Sequence, residues 1–86
     1  MARYRLLIKP SVVKDIEAIP SKRDRQRVVE RISKLAENPH PSGSEKISGQ
    51  DKYRVRQGRY RILYAIDDQD LIVQVVQAGH RKDVYR

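Results

Sequence analysis

Apolar residues recur along this chain with two different periods, and the change of period divides it. Arg3–Ile8 alternates and is rich in aliphatics, which predicts a strand. Val12, Val13, Ile16 and Ile19 then recur at helical spacing, in a helix opened by Pro10 and Ser11 and closed by Pro20. Ser21 is placed to N-cap a second, longer helix running to about Glu37. Its apolar stripe is Val28, Val29, Ile32, Leu35 and Ala36, and its other face carries Lys22, Arg23, Arg25, Arg27, Arg31 and Lys34. Those cations read as a solvated face, offset by i,i+4 pairing. Asn38–Ser44 is rich in Pro, Gly and Ser and reads as a loop. His40, within it, reads as a surface residue, because no second ligand is spaced to complete a metal site. From Lys46 onward the period is two: KYRVRQ, a Gly58-Arg59 turn of type II′, YRILYAI, a DDQD turn at Asp67–Asp70, and LIVQVVQA, with Gly79 ending the last strand. The predicted order is β-α-α-β-β-β in a single domain over residues 1–86. The fold class is α+β, an antiparallel sheet packed against two N-terminal helices.

The Gly58-Arg59 turn sets a register. Gln57 faces Tyr60, Arg56 faces Arg61, Val55 faces Ile62 and Tyr53 faces Tyr64. One face then carries Tyr53, Val55, Tyr60, Ile62, Tyr64 and Ile66, which the helices should cover. The other carries Arg54, Arg56 and Arg61, with no acid among them. Like charges directly across a sheet destabilise it by some tenths of a kcal/mol. An anion between Arg56 and Arg61 would turn that repulsion into attraction, and arginine grips phosphate oxygens bidentately. Continued through the DDQD turn, the register pairs Ile66 with Leu71, Tyr64 with Val73, Ile62 with Val75 and Arg61 with Val76. It releases His80, Arg81 and Tyr85 at the end of the sheet that bears the arginines.

Composition narrows the function. The chain has 86 residues and a formal net charge of +8, a field that attracts polyanions, of which nucleic acid is the commonest in a cytoplasm. There is no cysteine, so disulfides and thiolate metal sites are excluded. No apolar stretch approaches a membrane span of about 20 residues, and a cytoplasmic location is expected.

Residues 46–86 resemble the C-terminal half of the RelE-type toxins, in the RelE/ParE superfamily of toxin–antitoxin systems. The resemblance is carried by the YRVRQGRYRILYAI stretch and the ending GHRKDVYR. It implies a microbial RNase-like fold and ribosome-dependent cleavage of mRNA in the decoding A site of the 30S subunit. The ribose 2′-OH would attack the adjacent phosphate, without metal or other cofactor, and translation would be inhibited. It also implies a RelB-like antitoxin that wraps the toxin, with operator DNA contacted only by the toxin–antitoxin complex.

Carried over residue by residue, Arg61, Arg81 and Tyr85 match the catalytic arginines and tyrosine. Arg54, Arg56, Lys52 and His80 take RNA- or phosphate-binding positions, with arginine at Arg54 and Arg56 where other members often have lysine. Arg61 would stabilise the transition-state charge, Arg81 would serve the leaving 5′-oxygen, and Tyr85 would act as base or orient the 2′-OH. Unperturbed Tyr titrates near 10 and Arg stays protonated throughout the physiological range, whereas an unperturbed imidazole titrates near neutrality, which makes His80 the chemical rival for either proton-transfer role. Two other functions share the fold: a ParE-like inhibitor of DNA gyrase, and a catalytically inactive regulatory domain.

Overall fold

The computed structural model describes residues 3–80. The elements are β1 (Arg5–Ile8), α1 (Pro10–Glu17), α2 (Lys22–Leu35), β2 (Glu45–Lys46), β3 (Tyr53–Gln57), β4 (Tyr60–Asp67) and β5 (Ile72–His80). Pro10 sits in the first turn of α1, where its missing N–H has no intrahelical acceptor to lose. Ser21 caps α2 as expected, its hydroxyl accepting from the Asp24 N–H at 3.2 Å. The Arg25 guanidinium donates to the Ile19 carbonyl at 2.6 Å and so ties α2 to the chain leaving α1.

The five strands form one sheet in the order β1-β5-β4-β3-β2. Strands β2 to β5 pair antiparallel, while β1 lies parallel to β5, at the far edge from β2. Strand β2 is an addition to the expected order, since two polar residues carry no period to detect. The helices cover one sheet face. Val12, Ile16 and Ile19 from the α1 segment and Val28, Ile32 and Leu35 from α2 meet Val55, Ile62, Tyr64, Val73, Val75 and Ala78 in a single core. Tyr53, Tyr60 and Ile66 pack at its margin, so the face expected to be covered is covered. Val13 and Val29, expected on the apolar stripes, are instead exposed at 43% and 48%.

The β3–β4 hairpin has the predicted register, Gln57 opposite Tyr60 through Tyr53 opposite Tyr64. Gly58 has φ +61°, the left-handed first position that a type II′ turn requires. The β4–β5 connection departs from expectation. Asp67 remains in β4, and its carboxylate accepts from the N–H groups of Gln69 and Asp70, both at 3.0 Å. Leu71 then adopts φ +53°, and pairing resumes only at Ile72, opposite Asp67. Ile66 therefore faces Val73 rather than Leu71. A bulge at Val76 adds one more residue, so that Ile62 faces Ala78, Arg61 faces Gly79 and Tyr60 faces His80. Gly79 does not end the strand, which continues through His80. Side chains alternate along a strand, so one extra residue exchanges the faces of everything beyond it.

Tyr64 lies at the centre of the core, with no exposed surface, and its hydroxyl donates to the Pro39 carbonyl at 2.7 Å. Burial raises its pKa above 10, outweighing the opposite effects of Ser44 and the Arg31 charge. Above pH 10 the unfolded chain releases this proton while the folded chain keeps it, so stability falls as pH rises. Urea midpoints measured from pH 8 to 11 should decline in wild type more steeply than in Tyr64→Phe. Equal slopes would remove Tyr64 as the cause.

Candidate functional site

The sheet face away from the helices is where the cations gather. Arg54 and Arg56 stand on β3 at alternate positions, about 6.6 Å apart along the strand, and Lys52 immediately precedes it. Arg61, on the central strand β4, lies directly opposite Arg56. Its other neighbour in the register is Gly79, which brings no side chain to that side. Arg61 is 7% exposed, whereas Arg56 is exposed. The next residue along on this face, Leu63, is flanked by Arg54 and Gln77 and is also buried. A guanidinium stays protonated wherever it is placed. Arg61 is thus a cation held within the sheet surface, and Arg56 an exposed one beside it.

One expectation about this face needs correction. Strand β2 brings Glu45 opposite Arg54, and the two side chains form an ion pair. An acid therefore does stand among the arginines. Sequence spacing hid it, because Glu45 reaches Arg54 only across the intervening loop. Glu45 is 64% exposed while Arg54 is 20% exposed, so the carboxylate is the partner that solvent reaches. An exposed pair of this kind contributes about 0–1 kcal/mol, little enough for a phosphate to displace.

His80 is placed differently from the arginines. The Val76 bulge turns it to the helix side, in register with Tyr60, and the two rings meet edge-on at 6.0 Å. A cleft of about 450 Å³ opens there between the end of α1 and the end of the sheet, lined by Asp15, Ile19, Tyr60, Gln77, Ala78 and His80. The structure therefore brings Arg54, Arg56 and Arg61 together with Lys52 next to them in sequence, and sets His80 behind the sheet. Arg81 and Tyr85 lie outside the described residues. His40 is exposed as expected, its ring edge-on to Tyr53 at 5.2 Å. Among the described residues no three His, Asp or Glu side chains come together to hold a metal ion.

Residues 6–85 match the family described as ParE toxin of type II toxin-antitoxin system, parDE. The chain belongs to the RelE/ParE toxin superfamily. Toxin RelE of Mycobacterium tuberculosis is 29% identical over 84 residues, covering 96% of this chain and 87% of that protein. Toxin RelG of the same organism is 44% identical over 34 residues, which span 40% of this chain and 39% of its own length. Among solved structures, the archaeal RelE–RelB complex from Pyrococcus horikoshii aligns with TM-score 0.82 and 29% identity, over 98% of this chain and 100% of that one. The β-sheet with two helices on one side is thus the RelE/ParE toxin architecture, and the arginine face belongs to a toxin of a type II toxin–antitoxin system. No helix among the described residues of this RelE/ParE toxin is long and apolar enough to cross a membrane.

Proposed function

We propose that this toxin is an endoribonuclease that cuts mRNA in the ribosomal A site, with the RNA's own 2′-OH as nucleophile. The 2′-oxygen bonds to the adjacent phosphorus and the bond to the 5′-oxygen breaks. The products are a 2′,3′-cyclic phosphate and a 5′-OH, and one proton passes from the attacking to the leaving oxygen. The observation that carries this reading is Arg61, a buried cation directly opposite the exposed Arg56 on the sheet face away from α1 and α2. Negative charge grows on the phosphate in the transition state, and a cation already fixed in place stabilises it without reorganisation. Arg61 is assigned that role. Arg54, Arg56 and Lys52 hold the flanking phosphates, Tyr85 takes or orients the 2′-OH, and Arg81 serves the leaving oxygen. His80, expected from the sequence to bind RNA, stands behind the sheet against Tyr60 and is assigned no part in this reaction. An antitoxin of RelB type neutralises the toxin in the cytoplasm. The likeness to a RelE–RelB complex supports that partner.

The match to a family described as ParE toxin favours a second reading, inhibition of DNA gyrase. Induced expression of wild type beside Arg81→Ala separates the two. Discrete in-frame mRNA ends by primer extension, with growth arrest in wild type and growth of the mutant, are the expected result. DNA breaks without mRNA ends would establish the gyrase reading, and unchanged growth in both strains would mark an inert domain.

A further inference from the structure

Strand β5 outruns its neighbour. Strand β1 ends opposite Val75, where the Lys9 N–H closes the ladder on the Val75 carbonyl at 3.3 Å. Pro10, which has no N–H, then turns the chain into α1. Among the described residues, the side of β5 away from β4 is therefore an open edge from Val76 to His80, and the cleft of about 450 Å³ lies along it. The pairing decides which backbone groups face that cleft. The two-residue Gly58-Arg59 turn makes Gln57 and Tyr60 a hydrogen-bonded pair. Arg61 and Leu63 then turn their backbone groups to β5, where Gly79 and Gln77 meet them. Ala78, between those two, turns its N–H and C=O the other way, to the cleft it lines. Ala78 is 5% exposed, and among the described residues no backbone group pairs with it on that side. A buried donor and acceptor without partners are costly, so this edge favours a ligand that supplies both. The reaction proposed above uses none of these groups.

The surroundings select the ligand. The bulge at Val76 interrupts the edge, and the regular part of it, Ala78 to His80, is too short a ladder for an added strand. A nucleobase needs less. Every base carries a donor next to an acceptor on its Watson–Crick edge, the complement of the N–H and C=O of one extended residue. The rings of Tyr60 and His80 line the same cleft with their planes at 88°, so a flat heterocycle can stack on one and meet the edge of the other. Buried Ile19 supplies apolar lining. Asp15 supplies a carboxylate, which accepts hydrogen bonds from sugar hydroxyls and repels phosphate from the interior. The volume lies within the ~300–1,000 Å³ of small-molecule sites. We propose that the cleft between α1 and the open edge of β5 binds a nucleoside, with the base edge on the Ala78 N–H and C=O and the sugar hydroxyls at Asp15. Two sources offer this chemistry, a nucleotide unit of a bound RNA strand and a free nucleoside, and the test separates them.

The full chain is titrated with adenosine and followed by amide NMR. Adenosine is neutral, so the net charge of +8 does not draw it in. It is expected to move the Ala78 amide resonance with a dissociation constant of about 1 mM or tighter. Adenosine dimethylated at its exocyclic amine keeps the ring and loses the donor, and should bind at least about tenfold more weakly. Ala18→Phe puts a large side chain into the cleft from an exposed position at the end of α1, and should abolish the shift. Asp15→Ala should weaken it several-fold. Circular dichroism confirms that both variants fold, and the wild-type titrations decide the matter if one does not. An Ala78 resonance unmoved at about 10 mM adenosine overturns the proposal. So does equal binding of the dimethylated analogue, or wild-type binding by Ala18→Phe. So does ribose 5-phosphate acting as well as adenosine, which would reduce the effect to attraction of phosphate. A short single-stranded RNA that moves the same resonance, and fails to do so in Ala18→Phe, identifies the strand as the source. A resonance moved by adenosine and not by that RNA identifies the free nucleoside. Because binding is read and not cleavage, a failure here leaves the nuclease reading standing, and a toxin that cuts no RNA still returns an answer.

Discussion

Arg61→Ala is expected to lower mRNA cleavage by about 10²–10³-fold, the range for removing one preorganised donor to a developing anion. Two features lead us to expect the effect in the chemical step. Arg61 is buried, so its guanidinium is held by its surroundings, and it occupies the central strand, in register between Arg56 and Gly79. Arg56 is the internal comparison. It is exposed, so Arg56→Ala should weaken binding of the strand and make its log–log salt slope shallower by about 0.7, the value for one phosphate contact on single-stranded nucleic acid. Single-turnover cleavage at saturating ribosomes separates the two, since a binding loss is recovered there and a transition-state loss is not. Arg61→Lys keeps the charge and loses the planar fork, and should fall between wild type and alanine. If Arg61→Ala cuts at the wild-type rate, the phosphate is held elsewhere and the assignment fails.

Ile32→Ala should cost about 2–5 kcal/mol, the usual range for an isoleucine truncated in a packed core. Ile32 is 2% exposed, in the part of α2 that meets the sheet, and it belongs to the same cluster as Val55 and Ile62. In a domain of this size the loss corresponds to a fall in melting temperature of at least about 10 °C. Domains have about 5–15 kcal/mol in total, so a loss near the upper end of the range would largely unfold a domain at the lower end of that stability. Val29→Ala is the matched control. It removes apolar volume from the same helix at a site 48% exposed, and should change stability by no more than about 0.5 kcal/mol. Thermal melts of the two variants test whether the apolar stripe of α2 is divided as described. Equal losses would show that Val29 is covered in solution.

What could be read from the sequence depended on how local the determinant was. The Gly58-Arg59 turn holds only two residues, and a turn that short admits one register, so Arg56 opposite Arg61 was legible in full. Ser21 was legible because a cap acts over three residues. The β4–β5 register was not, because four loop residues admit several closures and a left-handed leucine is an unusual way to end one. The bulge left a trace that went unread. Gln74 and Gln77 are the polar residues of β5 on the face away from the helices, and they are three apart where strict alternation would space them by two. The valine pair Val75-Val76 between them marks the slip in phase. Glu45 was hidden because its contact with Arg54 depends on where a loop returns. Parallel placement of β1 beside β5 depends likewise on the path of the whole chain.

The supernumerary valine in β5 has a bearing on how relatives are compared. The same sequence paired without that bulge would present the imidazole of His80 in the same compartment as the guanidinium of Arg61, and not across a wall of backbone from it. A titratable ring would then sit beside a permanent cation, and the acid–base character of that compartment would change without any change in residue type. Column-by-column matching of histidines near the end of this strand therefore says nothing about shared chemistry until the parity of the strand has been counted.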